Sequence, residues 1–259
     1  MGQPDPSEVR VSPSPAKTGR VRVRSVLATL ITVLATLTVG CGQQSTPGPS
    51  GLSGPEAARP KVNRVVMGVS PPSLESNSVR HTNNDAMWHL APMYEFLMGV
   101  DARTGKLIPE LATEWKLGSD GLSFRLTLRK GVPFHQGGGV LTANDVVFTV
   151  ESLLSPNTTH PGGPQLRQFL KTVEVAGDHE VVMRLTEADF GIMELLPQQA
   201  ETVPIRSKVH FDARGEPGMA SEPTAGTGPY QFLERTQGAF IRYQRMTGKH
   251  WRATPEFPE

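Results

Sequence analysis

The stretch from Pro109 to Leu154 constrains this chain more than any other, because it holds strand, turn, strand, loop and helix signals in unbroken succession. Leu111 to Leu117 leads into Ser119-Asp120-Gly121. There an Asp side chain can bond the local backbone and a Gly can take positive φ, as a tight turn between antiparallel strands requires. From Leu122 to Arg129 the residues alternate. Leu122, Phe124, Leu126 and Leu128 face one way, and Ser123, Arg125, Thr127 and Arg129 the other. Period two predicts a strand buried on one face. After Gly131 and the Gly137-Gly138-Gly139 loop, Thr142 predicts a helix N-cap. Asp145, three residues on, suits the positive end of that helix. Val146, Val147, Val150, Leu153 and Leu154 then recur at helical spacing.

Within this stretch stand Pro109, Leu111, Ala112, Trp115, Asp120, Gly121, Leu128, Arg129, Phe134, His135, Gly137, Thr142, Ala143, Asp145 and Val146. In that order and spacing they resemble the signature region of the family 5 solute-binding proteins of bacterial ABC importers, which include oligopeptide-, dipeptide- and nickel-binding receptors. Gln136 departs from the pattern, since the family usually has Asp there. Gly226-Thr227-Gly228-Pro229-Tyr230 matches a second hallmark of the family, and Tyr94-Glu95-Phe96-Leu97 matches its Tyr-Glu-x-Leu. Near the end only Arg245 and Trp251 keep the family's Arg-Asn-x-x-Tyr-Trp. The resemblance runs from about Arg64 to Trp251.

The resemblance implies an α/β fold, a periplasmic-binding-protein-like lobe of mixed sheet and helices with a smaller α/β domain inserted into it. Residues 61–95 and 204–259 would form the first lobe and 96–203 the inserted domain. Family members are about twice this length, so the chain is expected to be the N-terminal half of such a receptor, with the second lobe absent. The implied activity is capture of peptides or a similar small solute outside the membrane and delivery to the permease subunits. Closure around the ligand would be a hinge-bending population shift. By position in peptide-binding relatives, Arg80, His81, Thr82 and Asn83, with His160, Pro161 and Gly162, would line the cleft. Such receptors hold peptide backbone as a strand is added to a sheet edge. Ordinary loop surface is the plain alternative for each of these residues. No cofactor is expected, and the protein is expected to act as a monomer.

Residues 1–60 read as address and tether. Lys17, Arg20, Arg22 and Arg24 precede fourteen uncharged residues, Val26 to Val39, and then Gly40-Cys41. A basic segment, a short apolar run and a small residue describe an export signal over 1–40, and fourteen residues is short for a membrane span. The single cysteine of the chain, Cys41, stands where a lipoprotein signal places the lipidated residue, although Thr38 replaces the usual Leu. A lipid anchor to the membrane is the expectation, with a plain secretory signal as the alternative. Residues 41–60, rich in Gly, Ser, Pro and Gln, read as a flexible tether. The formal net charge is +1, but residues 1–40 carry five basic and two acidic side chains. The remainder therefore has 21 basic (26 less 5) against 23 acidic (25 less 2), which argues against a nucleic-acid partner.

The remaining elements read as follows. Lys61 to Val69 predicts a short strand, and Asn84 to Met98 a helix disturbed by Pro92. Leu166 to Val175 is open between helix and strand, Glu180 to Leu185 reads as a strand, and Phe190 to Leu196 as a short helix. A polar segment extends to Thr224, and Gln231 to Arg245 reads as a hairpin turning near Gln237-Gly238. Trp115, Phe124 and Phe134 are expected in the core, and Gly226 to Tyr230 in a tight crossover. The seven histidines show no metal-ligand spacing. No nucleophile elbow or phosphate loop is present, so an envelope hydrolase or metal-dependent enzyme is the weaker alternative, as is a family remnant that binds nothing.

Overall fold

Alternation and turn chemistry build the central sheet. Strand β3 (Ala112–Leu117) pairs antiparallel with β4 (Ser123–Leu128), with a register irregularity between Ala112 and Glu114. The turn between them closes through Gly118 N to Ser123 O at 2.7 Å, and Asp120 Oδ1 accepts from Leu122 N at 2.9 Å and from the Ser123 hydroxyl at 3.1 Å. Those bonds, the Leu122 amide first, hold the Asp120 carboxyl below its ordinary pKa. Gly121 takes φ +67°, the conformation that a Cβ disfavours. Strands β5 (Leu170–Gly177) and β6 (Glu180–Leu185) complete an all-antiparallel sheet in the order β3-β4-β6-β5. Phe124, Leu126 and Leu128 are buried, whereas Arg125 and Arg184 pair in the open with Glu180 and Glu174. This is the inside-outside division that the alternating pattern predicts, except at Leu122, which precedes the strand in the turn and is 43% exposed.

Helix α2 (Ala143–Leu154) packs on β5 and β6. It opens with a capping box in which Asp145 Oδ2 accepts from the Thr142 amide at 2.8 Å and hydroxyl at 2.9 Å. Val146, Thr149, Val150 and Leu153 form its buried face. Helix α3 (Gly162–Phe169) runs directly into β5, which resolves Leu166 to Val175 into helix followed by strand. The short α4 (Ile192–Leu195) lies within the apolar run expected to be helical. Two antiparallel hairpins form separate two-stranded sheets: β1 (Met98–Val100) with β2 (Leu107–Pro109), and β7 (Tyr230–Thr236) with β8 (Phe240–Arg245).

This computed structural model describes residues 64–252 apart from 189, 219 and 220. The signal, the tether and Cys41 lie outside the described residues. Among those residues no helix is long and apolar enough to cross a membrane.

Three expectations are corrected. Residues 64–69 are not a strand; Val65, Val66 and Met67 are 73%, 75% and 76% exposed. A strand needs a neighbour for its backbone groups, and the described residues offer this segment none. The helix from Asn84 stops at Leu90 as α1, followed by a 3-10 turn at Ala91–Met93. Pro92 has no N–H to continue the ladder, and the chain beyond it becomes extended. The polar segment before Thr224 contains helix α5 (Lys208–Arg214), which Ser207 caps by accepting from His210 N at 2.9 Å.

Candidate functional site

The two sequence hallmarks meet face to face. His135 N donates to Gly226 O at 2.9 Å, and its Nε2 lies 2.7 Å from Gly228 O, so Nε2 carries the proton. Gly228 N in turn donates to Met93 O at 2.8 Å. The glycines are needed for approach. A Cβ on Gly226 would lie 2.1 Å from Met93 O, and one on Gly228 2.6 Å from Pro92 O. Phe134 is buried beside this junction, and Ser207 Oγ donates to Gly138 O at 2.6 Å. Burial holds the His135 imidazole below its ordinary pKa despite the Gly228 bond. Gly137 takes φ +74° in the connecting turn. Trp115 on β3 is partly buried against the core, and Tyr230 begins β7 opposite Arg245.

The two loops assigned to the cleft also meet, through backbone. Arg80 O accepts from Thr159 N at 3.1 Å, His160 N at 3.2 Å and the Thr158 hydroxyl at 2.8 Å. Arg80 Nη2 reaches Ser155 Oγ at 3.0 Å. His160 is buried, with Nδ1 accepting from Gly162 N at 3.0 Å. Burial first, then the Arg206 charge, holds its pKa down to about 4. Gly162 packs so tightly that a Cβ would lie 2.4 Å from the Thr202 methyl. Asn83 and Thr82 have structural tasks. Asn83 Oδ1 caps α1 through Ala86 N at 2.9 Å, and Thr82 is buried. His81 is half-buried, with its amide on Ser78 Oγ, and Pro161 is exposed.

A third constellation, absent from the sequence reading as a site, surrounds a cleft of about 280 Å³ bordered by Tyr94, Glu95, Glu110, Tyr230, His250 and Arg252. Glu95 is 5% exposed. It accepts from Trp251 Nε1 at 2.6 Å and pairs with His250 at 3.3 Å and Arg252 at 3.4 Å. Arg252 also reaches Glu110 at 3.0 Å, while Arg129 donates to Glu110 O at 3.1 Å and stacks 4.2 Å over Trp251. Burial raises the Glu110 pKa against the pull of Arg252. For His250 burial is the largest single influence and opposes the charge, but the Glu95 bond, the Glu95 charge and the Arg252 carbonyl together outweigh it and the pKa rises. Glu95 and Trp251 each belong to a stretch quoted for the family resemblance. Their common position signals a partnership that linear spacing cannot show. A second cleft, of about 350 Å³, opens by Phe134, His135, Gln136, Gln231 and Met246. No group of three potential metal ligands occurs among the described residues.

Comparison with known proteins now gives the geometry a setting. The family model for bacterial extracellular solute-binding proteins, family 5, middle region, matches residues 106–258, more than half of the chain. A probable di/tripeptide-binding protein 5 of Pseudomonas aeruginosa is 31% identical over 188 residues, 66% of this chain and 35% of that one. The oligopeptide-binding protein AppA of Bacillus subtilis is 31% identical over 183 residues, 70% of this chain and 33% of its own. The solved structure of AppA with a nonapeptide superposes with a TM-score of 0.54 at 27% identity, over 69% of this chain and 35% of that one. A dipeptide-binding protein from Pseudoalteromonas with bound Met-Leu reaches 0.58 at 24% identity, over 69% and 38%, a likeness of fold. The chain spans about a third of the length of the curated relatives it matches. The α/β architecture is that of a periplasmic-binding-protein lobe, and the chain belongs to the family 5 bacterial extracellular solute-binding proteins.

Proposed function

We propose that this chain supplies one wall of a peptide-binding cleft in a receptor that serves an ABC importer. The observation that carries the reading is the junction of the Arg80–Asn83 loop with the His160–Gly162 loop, the two segments assigned to ligand contact. The Arg80 carbonyl ties them together. Relatives at 31% identity that are named for di/tripeptide and oligopeptide binding support a peptide as the class of ligand. Residues 61–95 and 204–259 form the first lobe in this reading, and 96–203 the smaller domain that carries the four-stranded sheet and α2. Permease subunits receive the closed, liganded form. The Cys41 thiol carries a lipid that holds the receptor to the membrane on its periplasmic or extracellular face, and the receptor works as a monomer. The role is binding rather than catalysis.

Titration calorimetry with a panel of di- and tripeptides tests the reading. Saturable binding that weakens when Pro161 and His81 are both replaced by Ala supports it. A folded chain that binds no peptide in the panel overturns it. Cys41→Ser is expected to release the protein from membranes, and retention of the variant there would remove the lipid anchor.

A further inference from the structure

Arg206 is the bulkiest side chain with essentially no exposed surface among the described residues, at 0% exposure. It follows the apolar run Val203-Pro204-Ile205 and precedes the Ser207 cap of α5. Its amide donates to Thr149 Oγ1 at 3.1 Å, its Nη2 bonds the Ser152 hydroxyl, and its guanidinium lies 4.9 Å over the Phe148 ring. Nε and Nη1 are buried and meet no acceptor. Glu216 is the carboxylate that favours its charge, but the two form no ion pair, and Glu216 accepts from Ser78. The Tyr94 hydroxyl donates away, to Thr224 O at 2.7 Å. Arg80 adds a second positive charge, and its Nε is also buried without a partner.

A buried cation without a counter-charge is far more costly than a buried neutral group. A lysine or histidine escapes by losing its proton, but arginine cannot do so in a folded protein. The Phe148 face attracts the guanidinium without accepting a hydrogen bond from it. Glu216 acts only at a distance, so among the described residues no acceptor meets Arg206 Nε or Nη1. We propose that Arg206, supported by Arg80, is a buried binding site for a small monovalent anion of halide size. Size follows from enclosure: Arg206 has no exposed surface, so a larger anion has no open approach to it. A bound anion would cross-link α2, through the Ser152 side of the guanidinium, to the Arg80 loop and to the strand-like segment before α5. The site shares Arg80 with the loop proposed for peptide contact, but the anion needs no peptide in order to bind, so it is tested in the absence of peptide.

Chloride is the probe. The full chain is unfolded by heat in sodium chloride, with sodium gluconate replacing chloride to hold ionic strength constant. An anion that binds only the folded state raises the midpoint steadily with the logarithm of its concentration above half-saturation. Wild type is expected to show that rise and Arg206→Met to lose it. Equal responses in the two proteins overturn the site. If Arg206→Met fails to fold, crystals of wild type grown in bromide decide: an anomalous-scattering peak against Arg206 Nε or Nη1 supports the proposal, and no peak there overturns it.

Discussion

Two junctions hold distant parts of this chain together, and they differ in what they leave unmet. At the first, His135 meets Gly226 and Gly228 beneath Met93; at the second, the Arg80 and His160 loops close beside Arg206. Both bury polar atoms without partners. At the first these are His135 Nδ1 and Thr227 Oγ1, both neutral, and at the second they include Arg206 Nε and Nη1, which share a positive charge. A neutral unmatched group costs about 1–3 kcal/mol, and an unpaired buried charge several times more. The first junction is therefore built to stay as it is. At the second, the unmatched Arg206 N–H groups are the ones that the proposed anion would meet.

The sharpest way to break the contrast is Gly226→Ala. A methyl group placed 2.1 Å from a backbone carbonyl cannot be accommodated by a side-chain shift, because Met93 itself is fixed by the Gly228 bond. The expected loss is more than about 4 kcal/mol, at the extreme end of single substitutions. Urea denaturation reads it directly. A loss below about 1 kcal/mol would mean that the first junction is as loose as the second.

Acid probes the second junction. His160 has a folded pKa of about 4 against 6.5 when unfolded, so the unfolded chain takes up the proton first as pH falls. Its stabilising contribution is complete above pH 6.5 and is lost between 6.5 and about 4, in total about 3 kcal/mol. His160→Gln keeps an acceptor for Gly162 and removes the proton sink. The variant is expected to lose less stability than wild type over that window, measured as urea midpoints at pH 7 and 4.5. Parallel curves for the two proteins would show that His160 titrates freely and that the loop junction is open to water.

His135→Leu sharpens the comparison from the other side. The change is close to volume-conserving but leaves the Gly228 carbonyl unmatched in a buried place. The expected cost is about 2 kcal/mol by equilibrium unfolding. If Leu is tolerated without loss, the hydrogen bond is incidental, and the glycine contacts alone hold the junction.

Legibility in the sequence divided along the same line. The first junction was readable because it consists of local signals: turn glycines, an alternating strand, a Thr-x-x-Asp cap and a Gly-Thr-Gly-Pro-Tyr run. Reading could not show that the two runs touch, since nothing in a linear pattern pairs His135 with Gly228. The loops at the second junction were named by family position, and the three bonds to the Arg80 carbonyl involve backbone that no side-chain pattern reports. Arg206 falls in the segment whose composition reads as a polar connection up to Thr224. The apolar Val203-Pro204-Ile205 leading into a Ser cap was the available hint that the segment goes inside. Residues 64–69 failed for the opposite reason. Their apolar content promises a strand, but pairing is decided by a neighbour that the described residues do not contain.

The smallest effect tests whether legibility and energetic weight are the same thing. Gly121 sits in the β3–β4 turn, outside both junctions, and was among the clearest signals in the chain. Its φ of +67° is one that an Ala tolerates at a cost, and an added Cβ would lie 3.0 Å from the Ala188 Cβ. Ala188 is exposed and can yield. Strain alone then sets the price, about 1 kcal/mol for Gly121→Ala, with Gly121→Asn recovering part of it because Asn enters the left-handed region more readily. Denaturant midpoints of the two variants measure both. A plain turn glycine worth as much as Gly226 would mean that the hairpin, rather than the meeting of the two hallmarks, is the anchor of the fold. The expected gap between them, a factor of several in free energy, is the difference between a glycine required by its own backbone angle and one required by another segment's carbonyl.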